Sequence, residues 1–175
     1  MYIGILKNMT EYKLLGRIDS DLETLDEIHA DFKFCPDSNS VRPSDEMKEY
    51  KIGKIIEIKN DWYEFHDYIL HTVFDYDYKE YYEDGKKIKY VEFDKKIEKE
   101  YVFMKQMFPY QVEGKHWVMW YPVEYQIKSD EEISDDIYVE LKEIVGSENF
   151  DFCWYINPSM TVREFFHVQV FWDEL

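Results

Sequence analysis

Apolar residues recur at helical spacing through the first part of the chain. Ser20-Asp21-Leu22-Glu23 has the form of a capping box, and Leu22, Leu25, Ile28 and Phe32 follow it on one face, so a first helix is predicted there. Cys35-Pro36-Asp37-Ser38-Asn39-Ser40 reads as a loop. Pro43-Ser44 opens a second helix carrying Met47, Tyr50, Ile55 and Ile56, with Gly53 as a weak point inside it. Phe65, Tyr68, Ile69 and Val73 form the stripe of a third helix. From Asp75 the period shortens to two. Tyr76 and Tyr78 alternate with charges, and Glu83-Asp84-Gly85-Lys86 is a hairpin turn into Ile88-Lys89-Tyr90-Val91-Glu92-Phe93. Residues 100–104 read as a further strand.

The remainder alternates more sharply. Residues 116–121 form a strand broken by Pro122. Ser129-Asp130-Glu131-Glu132 is a second capping box, followed by Ile133, Ile137, Leu141 and Ile144 on one face and Gly146 as the stop. Residues 150–156 form a strand ending at Asn157-Pro158, and residues 165–172 form the last strand. The order strand, helix, antiparallel strand pair predicts an α+β fold, an antiparallel sheet with helices packed on it. It is expected to be one domain, helical over about residues 18–74 and with its sheet core over about 86–175. On the last strand Phe166, Val168, Val170 and Trp172 share an apolar face that must be core. His167 and Gln169 therefore lie side by side on the opposite face, where polar groups can meet a ligand.

Composition narrows the function. With 45% hydrophobic and 19% aromatic residues the chain can bury a sizeable core, and 16 tyrosines place hydroxyls on surfaces or in a cleft. The formal charge of -17 repels phosphate backbones, which excludes a nucleic acid polymer as partner but not a small nucleotide held by a local patch. Cys35 and Cys153 match no metal spacing and are expected to be buried free thiols in a reducing compartment. His66 and His71 are five apart on their helix, the wrong spacing for a shared ligand face, so neither a metal nor another cofactor is expected. Residues 1–6 are too short for a signal-peptide core and no apolar run approaches a membrane span, so a soluble, cytoplasmic protein with no membrane partner is expected. Ala30 is the only alanine among abundant Lys, Ile, Tyr, Asp and Glu, a bias that hints at an AT-rich coding genome such as that of a large DNA virus.

Phe165-Phe166-His167-Val168-Gln169-Val170 resembles the motif strand of the histidine-triad hydrolases and transferases, His-φ-His-φ-His-φ with φ apolar. The branch containing galactose-1-phosphate uridylyltransferase and dinucleotide polyphosphate phosphorylases has Gln at the third place, as here. The first His is replaced by Phe165. Around it, Gly114-Lys115-His116-Trp117-Val118-Met119-Trp120-Tyr121-Pro122 and Trp154-Tyr155-Ile156-Asn157 are similar to the family's flanking strands. Lys105 or Gln106 stands where the family carries a ribose-binding Asp. This likeness covers about residues 100–172. A second resemblance, over about residues 42–172, is to the fungal and viral N-acetylglucosamine-induced protein family, a domain of unknown function. Arg42-Pro43, Pro109-Tyr110 with His116-Trp117-Val118-Met119-Trp120, and Trp154-Tyr155-Ile156-Asn157 with Glu164-Phe165-Phe166-His167-Val168 match its blocks.

The triad resemblance implies a histidine-triad-like C-terminal core in which His167 attacks the α-phosphorus of a nucleotide sugar, dinucleotide polyphosphate or similar small nucleotide. The attacking nitrogen must be neutral, with the other ring N–H given to a backbone carbonyl. His116 would bind phosphate or move a proton, and Gln169 would donate to a non-bridging oxygen. Asn157 and Ser159 would position the phosphates, and Arg163, one of three arginines, would pair with them. Lys105 is a further substrate-binding candidate, and the family likeness points to a homodimer.

Each of these residues also has a structural reading. His116 at a strand start fits a satisfied core histidine, Gln169 a capping amide, Arg163 a partner of Glu164, and Asn157-Pro158 a plain turn. Two other functions therefore stand beside the enzyme: a catalytically inactive nucleotide sensor, and a partner-binding protein using the acidic, tyrosine-rich segment 75–93.

Overall fold

The computed structural model describes residues 16–18, 24–40, 42–93, 97–158 and 160–175. The expected capping box at Ser20, residues 1–6 and the candidate Ser159 lie outside the described residues. Helix α1, Leu25–Asp31, starts at a different box: the Thr24 hydroxyl accepts from the backbone N–H of Glu27, whose carboxylate accepts in return from the Thr24 backbone. Helix α2, Asp45–Asp61, is capped by Ser44, whose Oγ accepts from Met47 N at 3.1 Å. Helix α3 spans Phe65–Thr72.

Strands β1 (Lys79–Glu83) and β2 (Lys86–Tyr90) form the expected hairpin. Its turn holds Asp84 at φ 49° and Gly85 at φ 78°, the left-handed pair that a two-residue hairpin requires. Buried Asp67 pins the hairpin to α3 by accepting from the Val91 N–H at 3.1 Å.

A second sheet carries the rest: β3 (Val102–Lys105), β4 (Lys115–Trp120), β5 (Phe150–Tyr155) and β6 (His167–Glu174), all antiparallel in the order β3-β4-β6-β5. Helix α4, Asp130–Val145, connects β4 to β5, begins at the Ser129 box and stops at Gly146 with φ 73°. The strand, helix and strand-pair order expected from the sequence is present, and the fold is α+β.

Alternation along β6 sends Val168, Val170 and Trp172 to one face, where they meet Ile133, Ile137 and Leu141 of α4. Those three α4 side chains are fully buried, each stabilising the fold by roughly 1.5–3 kcal/mol. The opposite face is covered as well. Ile58 of α2 and Ile69 of α3, with the adjoining Val73, pack toward Val102, Met104 and Trp120, while Phe34, Cys35, Cys153 and Phe171 close the far end. His167 and Gln169 thus sit between the sheet and the N-terminal helices rather than on an open surface.

One expectation is overturned here. Cys35 and Cys153 are not free thiols; they are joined as a disulfide across 118 residues of chain. Cys153 of β5 packs with Phe34 and Phe171, where the loop after α1 brings Cys35 against it. The bond removes the free-thiol argument for a reducing compartment. Among the described residues no helix is long and apolar enough to cross a membrane.

Candidate functional site

The register of the larger sheet arranges its helix-covered face in rows. Trp120 of β4 lies opposite His167, and the line of β5 continues past Tyr155 to Asn157 on the other side of that histidine. In the next row Tyr155, Gln169, Val118 and Met104 are aligned, and in the third Cys153, Phe171 and His116. The polar side chains form a narrow strip crossing an otherwise aromatic and aliphatic face.

His167 is buried and stacked on Trp120, ring centroids 4.3 Å apart. Its Nδ1 lies 2.9 Å from the carbonyl oxygen of Phe165. A carbonyl can only accept, so Nδ1 carries the proton and Nε2 keeps its lone pair. Burial holds its pKa below the ordinary value, partly offset by the Phe165 carbonyl. The result is a neutral imidazole with a defined tautomer, as a nucleophile or base requires.

His116 has a different role. The backbone N–H of Tyr110 donates to its Nδ1 at 3.0 Å, which leaves the ring proton on Nε2. That Nε2–H donates to Oε1 of Gln169 at 2.8 Å, and Gln106 Nε2 donates to the same oxygen, also at 2.8 Å. Both ring nitrogens are engaged, and burial pushes the pKa down to about 4 against a smaller upward pull from Gln169. His116 does not line the cavity described next. The phosphate-binding or proton-moving role suggested by the resemblance gives way to support of Gln169. With the oxygen of Gln169 doubly engaged, its Nε2 amide is the end left to meet a ligand.

A cavity of about 240 Å³ opens between the sheet and helices α2 and α3. His167, Gln169, Asn157 and Gln106 line it together with Trp120. Ile55, Ile58, Phe65, Ile69 and Val162 make its apolar wall. Three cations reach it: Arg42 from the loop before α2, Lys51 from α2, and Lys105 at the exposed end of β3. Among the described residues no Asp or Glu lines it. In a chain of charge -17, an acid-free wall carrying three cations is a marked local reversal of sign.

Of the sequence candidates, the cavity thus gathers His167, Gln169, Asn157 and Lys105. Arg163 is not among them. Val162 turns into the apolar wall, which sends its neighbours Arg163 and Glu164 to solvent, where the Arg163 backbone N–H binds the Glu164 carboxylate. Arg42 and Lys51 have no counterpart among the site residues expected from the sequence. The signal available for Arg42 was its rarity, beside Pro43 at a helix start; nothing distinguished Lys51 from its neighbours. No cluster of three or more metal-ligating side chains occurs among the described residues. No family model, curated protein or solved structure matches the chain.

Proposed function

We propose that the cavity binds a small phosphate ester of nucleotide type and that His167 is the nucleophile of a nucleotidyl hydrolase or transferase with a triad-like scaffold. The observation that carries this reading is the neutral His167, its Nδ1–H held by the Phe165 carbonyl, at the wall of an acid-free cationic cavity in an acidic protein. In the reaction Nε2 attacks the α-phosphorus, a P–N bond forms, and the bond to the leaving oxygen breaks. The positive charge gained by the ring is shared with the Phe165 carbonyl. Gln169 Nε2 donates to a non-bridging oxygen as charge develops there. Water or another acceptor oxygen then attacks phosphorus and loses its proton to solvent, the P–N bond breaks, and His167 returns neutral. The apolar wall accommodates base and sugar.

The cytoplasmic, virus-encoded setting and the homodimer belong to this same proposal. Both cysteines are fully buried, which shields their bond from small thiols and keeps it compatible with such a compartment.

A second reading, an inactive nucleotide sensor, is favoured by Phe165. Its ring stands where the first triad His would be and packs against Phe74 at 5.1 Å and His66 at 5.0 Å, serving the core. Incubation with α-labelled nucleoside di- and triphosphates separates the two. The enzyme gives turnover or an acid-labile adduct that His167→Ala abolishes. Neither across the panel rejects catalysis, and thermal stabilisation by nucleotide without turnover supports the sensor.

A further inference from the structure

We infer that Arg42 and Lys51 form a seat for a second, terminal phosphate of the ligand, so that the cavity selects nucleoside diphosphate-type compounds over monophosphates; this rests on the nucleotide reading of the same cavity. The first ground is position. Tyr155 is paired with Gln169 across β5 and β6, one alternation step from His167, which is about 7 Å along a strand. The Arg42 guanidinium lies against the Tyr155 hydroxyl, which donates to the Tyr110 hydroxyl at 3.1 Å. Arg42 is thereby fixed in the row next to the nucleophile, not at it. Lys51 lines the same cavity from α2, its Nζ 5.8 Å from the centroid of the Phe108 ring, which lines it too.

The second ground is charge. Acids outnumber bases 38 to 21 in this chain, and several cations near its sheet are paired: Arg17 with Asp130, Lys115 with Asp173 and Glu174, Lys128 with Glu100 and Asp136. Arg42 and Lys51, like Lys105, line the cavity and have no carboxylate partner among the described residues. Two cations without an acidic partner at the wall of one cavity form a receptor for an anion that comes from outside.

The third ground is how Arg42 is held. Its loop is tied to β5 at Cys35–Cys153, two residues before Tyr155. Pro43 then fixes the backbone ahead of the Ser44 cap. The backbone on the C-terminal side of Arg42 is thereby held.

Calorimetric titration of the intact protein with the pairs ADP and AMP, and UDP and UMP, tests the seat. The diphosphate of at least one pair binds about tenfold or more tightly than its monophosphate. Arg42→Gln and Lys51→Gln each weaken diphosphate binding by several-fold more than monophosphate binding and so narrow that difference, and Arg42→Lys restores part of it. Equal affinity for mono- and diphosphate in the wild type, or an equal loss for both in Arg42→Gln, overturns the seat and leaves the nucleotide reading standing. If no nucleotide binds but inorganic pyrophosphate does, with loss in Arg42→Gln, the seat holds and the nucleoside part of the reading falls. If nothing binds, both fall.

Discussion

His116 donates its Nε2–H to Oε1 of Gln169 across 2.8 Å, and a backbone N–H six residues before His116 decides that it does so. Because Tyr110 N–H occupies Nδ1, the ring proton has one place to be, and the amide of Gln169 has one orientation that accepts it. The order of command runs from main chain to histidine to glutamine.

This arrangement has a pH signature. The folded pKa of His116 is held near 4 and the unfolded value is 6.5, so the unfolded chain takes up a proton first as pH falls. The stabilisation is complete above pH 6.5 and is lost between 6.5 and about 4, amounting to about 3 kcal/mol for a shift of this size. Many carboxylates titrate nearby, so the test is a difference. Denaturant unfolding of wild type and His116→Asn, compared from pH 7 to pH 4, should show the wild type losing stability relative to the variant. A constant difference would refute the assignment.

The same logic applied to His167 concerns rate. Burial keeps its pKa below 6.5, so the neutral nucleophile persists into mild acid. Adduct formation should fall by less between pH 7.5 and pH 6 than for an unperturbed histidine, which would be about three-quarters protonated at pH 6. Initial rates of label incorporation decide between them.

Gln169→Glu preserves shape and keeps an acceptor for His116 and Gln106, but replaces the amide donor by a negative charge at the cavity wall. The variant should fold and lose nucleotide binding by about tenfold or more. Calorimetry together with near-ultraviolet dichroism checks both halves. Unchanged affinity would mean that Gln169 does not face the ligand.

Gly114 precedes β4 where the loop after α1 crosses β6. A Cβ there would collide with Phe34 and lie 2.7 Å from the Trp172 carbonyl oxygen, both firmly placed. Gly114→Ala should cost about 1–3 kcal/mol, read from the denaturation midpoint. In the sequence this glycine served only as part of a resemblance; its tight packing was invisible there.

Removing the disulfide should have a large effect. Closing a span of 118 residues restricts the unfolded chain by about 4–5 kcal/mol in the loop-entropy account. Cys35→Ser with Cys153→Ser should therefore melt well below wild type, and thiol titration of the native protein should find none until reductant and denaturant are both present. Two reactive thiols in untreated protein would contradict the bond.

What could be read in advance divides by range. Ser44, Ser129, Gly146 and the Asp84-Gly85 turn act through neighbours a few residues away, and each element they bound is where its pattern places it. Alternation on β6 correctly separated Val168 and Val170 from His167 and Gln169. Contacts between distant partners leave no such local signal. The Cys35–Cys153 bond needs a loop to cross the sheet, and Arg163 was preferred to Arg42 although only the latter is carried back over the cavity. His116 was placed beside the ligand because its own hydrogen-bond partners, a main-chain N–H and another side chain, leave no trace in periodicity.

Among the walls of the cavity are two stretches of chain far apart in sequence: the strand face that holds His167 and Gln169, and the loop and helix that hold Arg42 and Lys51. On the proposed reading, reactivity and choice of ligand are inherited on separate segments. A lineage could trade one arginine or lysine on the covering segment and turn to a new compound while the sheet beneath stayed untouched. An engineer could follow the same route, randomising the positions of α2 that face the cavity without disturbing the histidine below.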